Sequence, residues 1–393
     1  MNYGNINKGI HANWNYPTAI KVGAGRIQEL PGLCQSLGMK DALLITDPGL
    51  APLPIVQQAV ANCQSAGLGC AVFSNIKGNP TEQNVSDGVG AYRAGKFDGV
   101  IAFGGGSALD AAKAVALMVG QKRPLWDFED VDDNSLRVNV AGMASVVAVP
   151  TTAGTGSEVG RASVITDDQA HVKRIIFHPK MLPAIVILDP ELTVGLSAKL
   201  TAATGMDALS HNLEAYCSPF YHPMASGIAL EGIKLIKEWL PTAVQDGRNL
   251  EARLRMLVAS TMGATAFQRG LGAMHALAHP LGALYDAHHG TLNAILMPYV
   301  LLANRTAIDE RITSLARYLD LPQPSFSAFL DWVLGLRETI GIPNTLAAIG
   351  IDESQAELIA RMAVVDGSAA TNPILFSEDA YASIFRQAVA GKL

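Results

Sequence analysis

The stretch Asp98-Gly-Val-Ile-Ala-Phe103-Gly104-Gly105-Gly106-Ser107-Ala108-Leu109-Asp110-Ala-Ala-Lys113 reads as a buried strand, a glycine turn and the start of a helix. Consecutive glycines let the backbone approach a ligand closely. The helix that follows offers unpaired N–H groups and the positive end of its dipole, which suit a pyrophosphate. A tight βα turn with nothing bound is the plain alternative. The loop's place at the carboxyl end of a strand, where α/β sheets bind ligands, favours phosphate.

Outward from this unit the same alternation continues. Short β-branched or apolar runs at Ala42–Thr46, Ala71–Phe73, Ser145–Pro150 and Ala184–Leu188 predict strands. Helical periodicity predicts helices near Pro54–Ala66, Glu82–Ala94 and Ala108–Val119. Strands alternating with helices imply a mostly parallel sheet covered on both faces. After Leu188-Asp-Pro-Glu191, Ala, Leu and Met at helical spacing dominate. The expected architecture is an α/β dinucleotide-binding domain over residues 1–190 and an all-helical domain over 191–393.

Composition narrows the class. Hydrophobic residues make up 49% and charged residues 16% of the 393, which describes a packed chain with room for two cores and excludes a disordered one. A net charge of −6 with no basic run argues against nucleic acid and anionic membranes as partners. The polar start Met1-Asn-Tyr-Gly-Asn lacks the apolar core of a signal peptide. Cys34, Cys63, Cys70 and Cys217 form no CxxC, so reduced thiols and a cytoplasmic setting are expected, and any metal must rest on His and carboxylate.

Such residues cluster. Gly272-Ala-Met-His275-Ala-Leu-Ala-His279-Pro280 and His288-His289-Gly290 hold four of nine histidines, and Asp207 and His211 stand four apart some sixty residues earlier. Residues i and i+4 share a helix face, so Asp207 and His211 point at one spot. Imidazoles with a carboxylate suit a borderline divalent metal such as Fe²⁺ or Zn²⁺. Spacing alone leaves open which histidines ligate, or whether each is a buried ring with an ordinary hydrogen bond.

Two more loops follow strands. Asp47 ends Ala42–Thr46, where an acid accepts a ribose 2′-OH and repels a 2′-phosphate, or else closes a turn before Pro48. Pro150-Thr151-Thr152-Ala-Gly154-Thr155-Gly156-Ser157-Glu158 offers hydroxyls to a phosphate or nicotinamide amide. Gly23-Ala-Gly25 imitates a dinucleotide fingerprint but lacks its third glycine, and reads as a turn.

Together, Ile45-Thr-Asp47, Gly78-Asn79-Pro80-Thr81, Gly104–Asp110, Pro150–Glu158, Thr204-Gly-Met-Asp207-Ala-Leu-Ser-His211, His275-Ala-Leu-Ala-His279-Pro-Leu-Gly, His289-Gly290 and Asn293-Ala-Ile-Leu-Met-Pro298 resemble the iron-containing (group III) alcohol dehydrogenase family across nearly the whole chain. The resemblance implies an active site in a cleft between the two domains, with the metal and substrate on the helical side. It implies Asp207, His211, His275 and His289 as metal ligands. His279 it sets near the substrate as a proton-handling residue rather than a ligand. NAD positions carry over to Asp47, Asn79, Gly105, Gly106, Ser107, Asp110, Thr151, Thr152, Thr155 and Lys173. The implied cofactors are NAD and Fe²⁺, with Zn²⁺ as the other candidate. The implied activity is hydride transfer between NAD and a primary alcohol, diol or hydroxy acid, in a homodimer or higher homo-oligomer.

Departures touch the substrate side. Gly160 stands where many relatives have Thr, Phe267-Gln-Arg-Gly270 replaces an Asn-Ala type sequence, and His288 a common Pro. The small Gly160 and Ala162 predict room for more than ethanol. Glu214 reads as an exposed or ion-paired helix carboxylate ahead of a support for the metal, Lys173 in its Lys-Arg pair as ordinarily solvated, and Arg269 as a cap or salt bridge. His171, His178 and His222 read as surface or structural, and Met206, Met256, Met262 and Met274 as packing. Competing readings are a metal-free keto-acid reductase, a polyol-phosphate dehydrogenase, a dehydroquinate synthase-like lyase with the same cofactors, and a non-enzymatic scaffold.

Overall fold

The computed structural model describes residues 16, 18–170 and 172–393. Six short apolar runs form one parallel sheet: β1 (Ala19–Val22), β2 (Asp41–Ile45), β3 (Gly69–Phe73), β4 (Gly99–Gly104), β5 (Ser145–Pro150) and β8 (Ile185–Leu188). Their order is β1-β8-β5-β4-β2-β3. The chain steps from β2 out to β3 and returns to β4 on the other side of β2. The carboxyl ends of β2 and β4 therefore flank the point where strand order reverses, the usual ligand crevice of an open α/β sheet.

Helices α1 (Leu30–Ser36), α2 (Pro54–Ser65), α3 (Glu82–Gly95) and α4 (Gly106–Met118) connect the strands. Every residue of β4 is buried, and α4 is buried from Ala108 to Leu117. Full burial of a Val, Ile or Phe is worth about 1.5–3 kcal/mol, so Val100, Ile101 and Phe103 make β4 the anchor of this half.

A hairpin of β6 (Ala162–Asp167) and β7 (Val172–Phe177) forms a separate two-stranded sheet over α4. The sequence reading named neither this hairpin nor β1. Both are half-buried, and polar residues break the apolar signal, Lys21 in β1 and Lys173 and Arg174 in β7. The Gly23–Gly25 segment is a turn, as read, with both glycines at positive φ.

Beyond Leu188 the regular elements among the described residues are helical: α5 (Ala198–Cys217), α6 (Pro223–Gln245), α7 (Leu250–Ala266), α8 (Ala273–Tyr285), α9 (His289–Tyr318), α10 (Phe326–Thr339), α11 (Ala356–Val364) and α12 (Glu378–Ala390). Nearly all of α5 is buried, packed against α6, α7 and α9. Met206, Met256 and Met274 belong to that core, with Met262 packed beside it. Among the described residues, no helix is long and apolar enough to cross a membrane. All four cysteines are buried and unbridged.

Candidate metal centre and cofactor crevice

Asp207 and His211 lie one turn apart on α5, His275 in the first turn of α8, and His289 at the start of α9. One side-chain donor atom from each lies within 4.8 Å of the other three. The His211 and His275 rings stack at 4.7 Å, and the His275 and His289 rings are 5.2 Å apart. His211 Nδ1 is 3.2 Å from the Gly154 carbonyl, which fixes the proton there and frees Nε2.

The Asn293 amide nitrogen gives a test of fit. It donates to Asp207 Oδ1 at 2.9 Å and lies 3.2 Å from both His275 Nε2 and His289 Nε2. Three lone pairs from three helices thus face one point, while the buried His289 Nδ1 and Asn293 Oδ1 have no partner. A tight set of three imidazoles and a carboxylate with convergent lone pairs fits a divalent cation. Burial pushes the His211 pKa down to about 4 and that of His289 well below its ordinary value, keeping both rings neutral as ligation requires. For His275 burial acts downward, but the Glu214 and Asp207 carboxylates outweigh it and raise the basicity of the ring.

Glu214, expected as an exposed helix carboxylate or a core ion pair, is buried at the centre of this support and pairs with His275. It accepts from His275 Nδ1 at 2.6 Å, Gly272 N at 2.8 Å and Met274 N at 2.7 Å. A helix start leaves backbone N–H groups unpaired, and α8 has no side-chain cap of its own. Glu214 caps that start from α5 while it holds the His275 ring, and Asn372 accepts from Ala273 N at 3.0 Å beside it. The three-residue step from His211 to Glu214, and the four-residue step from His289 to Asn293, were the sequence signals for both supports.

His279 lies one turn beyond His275, yet its Nδ1 is tied to Asp366 Oδ2 at 2.8 Å. Its ring stacks on His289 at 5.5 Å. Burial raises the Asp366 pKa, but His279 and Ser368 outweigh it, and the net shift is downward. Asp366 is 87 positions away, and nothing in the sequence pairs the two.

Asp47, Gly105, Gly106, Ser107, Thr151, Thr152 and Thr155 lie on the loops that follow β2, β4 and β5 or at the helix start after β4. Thr151 N donates to the Gly104 carbonyl at 2.9 Å, joining the two loops at the ends of β4 and β5. Gly104 has φ +147°, and a Cβ on Gly106 would lie 2.4 Å from Thr155 Oγ1, so neither tolerates a side chain. Gly105 caps α4, and Ser107 Oγ donates to the Gly78 carbonyl. Asp47 Oδ1 accepts from Gly49 N at 2.9 Å and Leu50 N at 3.0 Å, so one carboxylate oxygen serves the turn. Asn79 donates to Asp286 at the end of α8 at 2.6 Å.

Asp110 is engaged within the protein, by Ser157 Oγ, Val164 N at 3.0 Å and Lys113 at 3.3 Å. Lys173 is half-buried against Gly282 rather than solvated, and burial lowers its pKa against the pull of Asp110, Asp286 and Asp207. Arg269 donates to the Tyr216 carbonyl in the last turn of α5, a cap as read, while His178 and His222 cap the turns that follow them. His171 lies outside the described residues. Gly160 and Ala162 line a cavity of about 590 Å³ that reaches Phe267, whose ring is 5.2 Å from that of His211.

A glycine loop at a sheet reversal and a buried Asp-His₃ cluster in one chain are the features of an α/β enzyme suited to a phosphate-bearing ligand and a metal ion. Residues 17–190 match the iron-containing alcohol dehydrogenase family and residues 201–389 its C-terminal part. A 4-hydroxybutyrate dehydrogenase of Cupriavidus necator is 38% identical over 95% of this chain and 99% of its own. A crystal structure of 1,3-propanediol oxidoreductase superposes with TM-score 0.91 at 36% identity, over 96% of this chain and all of the other. Sulfoacetaldehyde reductase from Bifidobacterium kashiwanohense, solved with NAD⁺, does so with TM-score 0.89 at 27% identity, over 97% of this chain and all of its own. The chain belongs to the iron-containing alcohol dehydrogenase family and is an oxidoreductase acting on CH–OH.

Proposed function

We propose that Asp207, His211, His275 and His289 hold the metal and that the crevice at β2, β4 and β5 holds NAD. There the chain interconverts a primary alcohol, diol or hydroxy acid with its aldehyde. The convergence of four donor atoms within 4.8 Å carries this reading. We take residues 1–190 as the NAD half and 191–393 as the half for metal and substrate. Asp47, Asn79, Gly105, Gly106, Ser107, Asp110, Thr151, Thr152, Thr155 and Lys173 are assigned to the cofactor. Of these, Asp110 acts through Ser157 and Lys113, since its oxygens are already engaged. A cytoplasmic homo-oligomer completes the proposal, a setting that four unbridged thiols suit.

When bound, the metal would supply Lewis acidity and the nicotinamide an acceptor for hydride. The chain's residues do the rest. His275 is aimed by Glu214 and His211 by Gly154, so the donor set is formed before substrate enters. His279, held through Nδ1 by Asp366, keeps Nε2 for the alcohol proton. Phe267 covers the His211 ring and excludes water there.

The test is NADH formation by protein prepared without oxygen and loaded with Fe²⁺ or Zn²⁺, offered short alcohols, diols and hydroxy acids. Stoichiometric NADH accumulation supports the reading. A lyase that regenerates its NAD within each turnover accumulates none. A strict preference for methanol or ethanol over every longer substrate refutes the substrate range.

A further inference from the structure

Two charged groups on the wall of the cavity beside Phe267, Arg161 and Asp130, close no side-chain hydrogen bond or ion pair among the described residues, and of the two Arg161 is the donor. The cavity's hydroxyls are spent on the protein: Thr265 donates to the Thr261 carbonyl at 2.8 Å and Thr371 to the Leu271 carbonyl at 2.7 Å. Arg161 differs. Its guanidinium lies over the Phe177 ring, 5.5 Å from the centroid, and closes no side-chain hydrogen bond or ion pair among the described residues. Asp130, also on the cavity wall, acts on it electrostatically without closing a bridge. A guanidinium carries five N–H donors in a planar fork matched to a carboxylate, and leaving it half-desolvated and unpaired is costly.

The two ends of the cavity have different chemistry. At one end, Phe267 touches His211 of the candidate metal cluster, and Ser368 and Thr371 follow the Asp366 that holds His279. Arg161 marks another wall. An alcohol held at the cluster would extend past Phe267 into a cavity whose lining includes this cation.

Resting on the dehydrogenase reading above, we propose that Arg161 is an anion subsite that selects short primary alcohols ending in a carboxylate, and their semialdehydes, over neutral alcohols and diols of equal length. The Phe177 ring holds the guanidinium in place, and Gly160 and Ala162 are small residues on the same cavity wall. Asp130 opposes the same anion and tempers its binding.

The experiment compares kcat/KM for 3-hydroxypropionate, 4-hydroxybutyrate and 5-hydroxypentanoate with the diols of the same lengths. It uses metal-loaded wild type, Arg161→Gln, Arg161→Lys and Asp130→Asn. The wild type should prefer an acid to its diol. Arg161→Gln should lower the acid-to-diol ratio roughly 10- to 100-fold, the worth of a charge-assisted hydrogen bond, mostly through KM, and Arg161→Lys should recover part of it. Asp130→Asn should move the ratio the other way by about two- to fivefold, which a merely structural role of Arg161 does not explain. Calorimetric titration of the metal- and NADH-loaded enzyme with butyrate reads the subsite without turnover, and Arg161→Gln should weaken it about tenfold or more.

A wild type that prefers diols, a ratio unmoved by Arg161→Gln, or unchanged butyrate binding overturns the proposal. If neither series is oxidised the dehydrogenase reading fails, and the butyrate titration still decides the anion subsite.

Discussion

Replacing Glu214 probes the support of the metal cluster, because its carboxylate serves three buried donors at once. One oxygen accepts from Met274 N, and the other from Gly272 N and His275 Nδ1. Each buried donor left without a partner costs about 1–3 kcal/mol. Glu214→Ala orphans three and should cost roughly 3–9 kcal/mol, comparable to the whole stability of a typical domain at about 5–15 kcal/mol. Glu214→Gln is gentler and more telling. Its amide nitrogen must face one side, and the cheaper choice faces the single Met274 N–H, leaving its oxygen to Gly272 and His275. His275 then keeps its proton on Nδ1 and its lone pair on Nε2, but loses the charge that raised its basicity. Metal affinity should fall about 10- to 100-fold, with a melting temperature only modestly lowered. Competition with a metal buffer gives the affinity, and thermal unfolding with and without Fe²⁺ gives the stability. Wild-type affinity in Glu214→Gln, or a smaller loss of stability in Glu214→Ala than in Glu214→Gln, would refute the reasoning.

Other outcomes follow from the same geometry. His275→Ala should lose metal and activity together, whereas His279→Ala should keep its metal while kcat drops about 10²- to 10⁴-fold and its pH profile changes; metal analysis of both tells them apart, and the reverse pattern exchanges the assignment. Asp47→Gly should shift preference from NAD toward NADP in kcat/KM, and a wild type already better with NADP would remove Asp47 from the ribose. Gly106→Ala places a methyl 2.4 Å from Thr155 Oγ1 and should cost about 1–3 kcal/mol with a raised KM for NAD. Gly105→Ala, whose methyl meets Thr152 at 3.4 Å, should cost less in the same melts.

Much of this was legible in the sequence for a physical reason. The strands β2, β4 and β5 are buried on both faces, so their apolar runs are unbroken, and the loops after them concentrate Gly, Thr and Ser that serve no core. Asp207 and His211 share a helix face by spacing alone, but the choice of His275 over His279 came from the resemblance, because both stand on one face of α8. The β6–β7 hairpin stayed hidden because its strands are half-buried and carry Thr166, Asp167, Lys173 and Arg174. Its turn, Asp168-Gln-Ala, also lacks a glycine. For Glu214 the expectation of a core ion pair holds and that of an exposed carboxylate does not. A carboxylate on a helix is ordinarily solvated, and only the approach of the α8 start, across more than fifty residues, gives it three donors. Asp366 had no local signal at all.

The hydrogen bond from His211 to the Gly154 carbonyl joins two sites that are otherwise built from different halves of the chain. Gly154 belongs to the loop after β5 assigned to the cofactor, and His211 to the metal cluster. A cofactor that stiffens that loop also stiffens the acceptor that orients the imidazole, and a cation that fixes the imidazole steadies the loop. Thermodynamic linkage then makes the influence mutual: whatever factor iron adds to the affinity for NAD, NAD must add to the affinity for iron. Loss of metal would accordingly present itself first as weakened dinucleotide retention, well before any change in the fold.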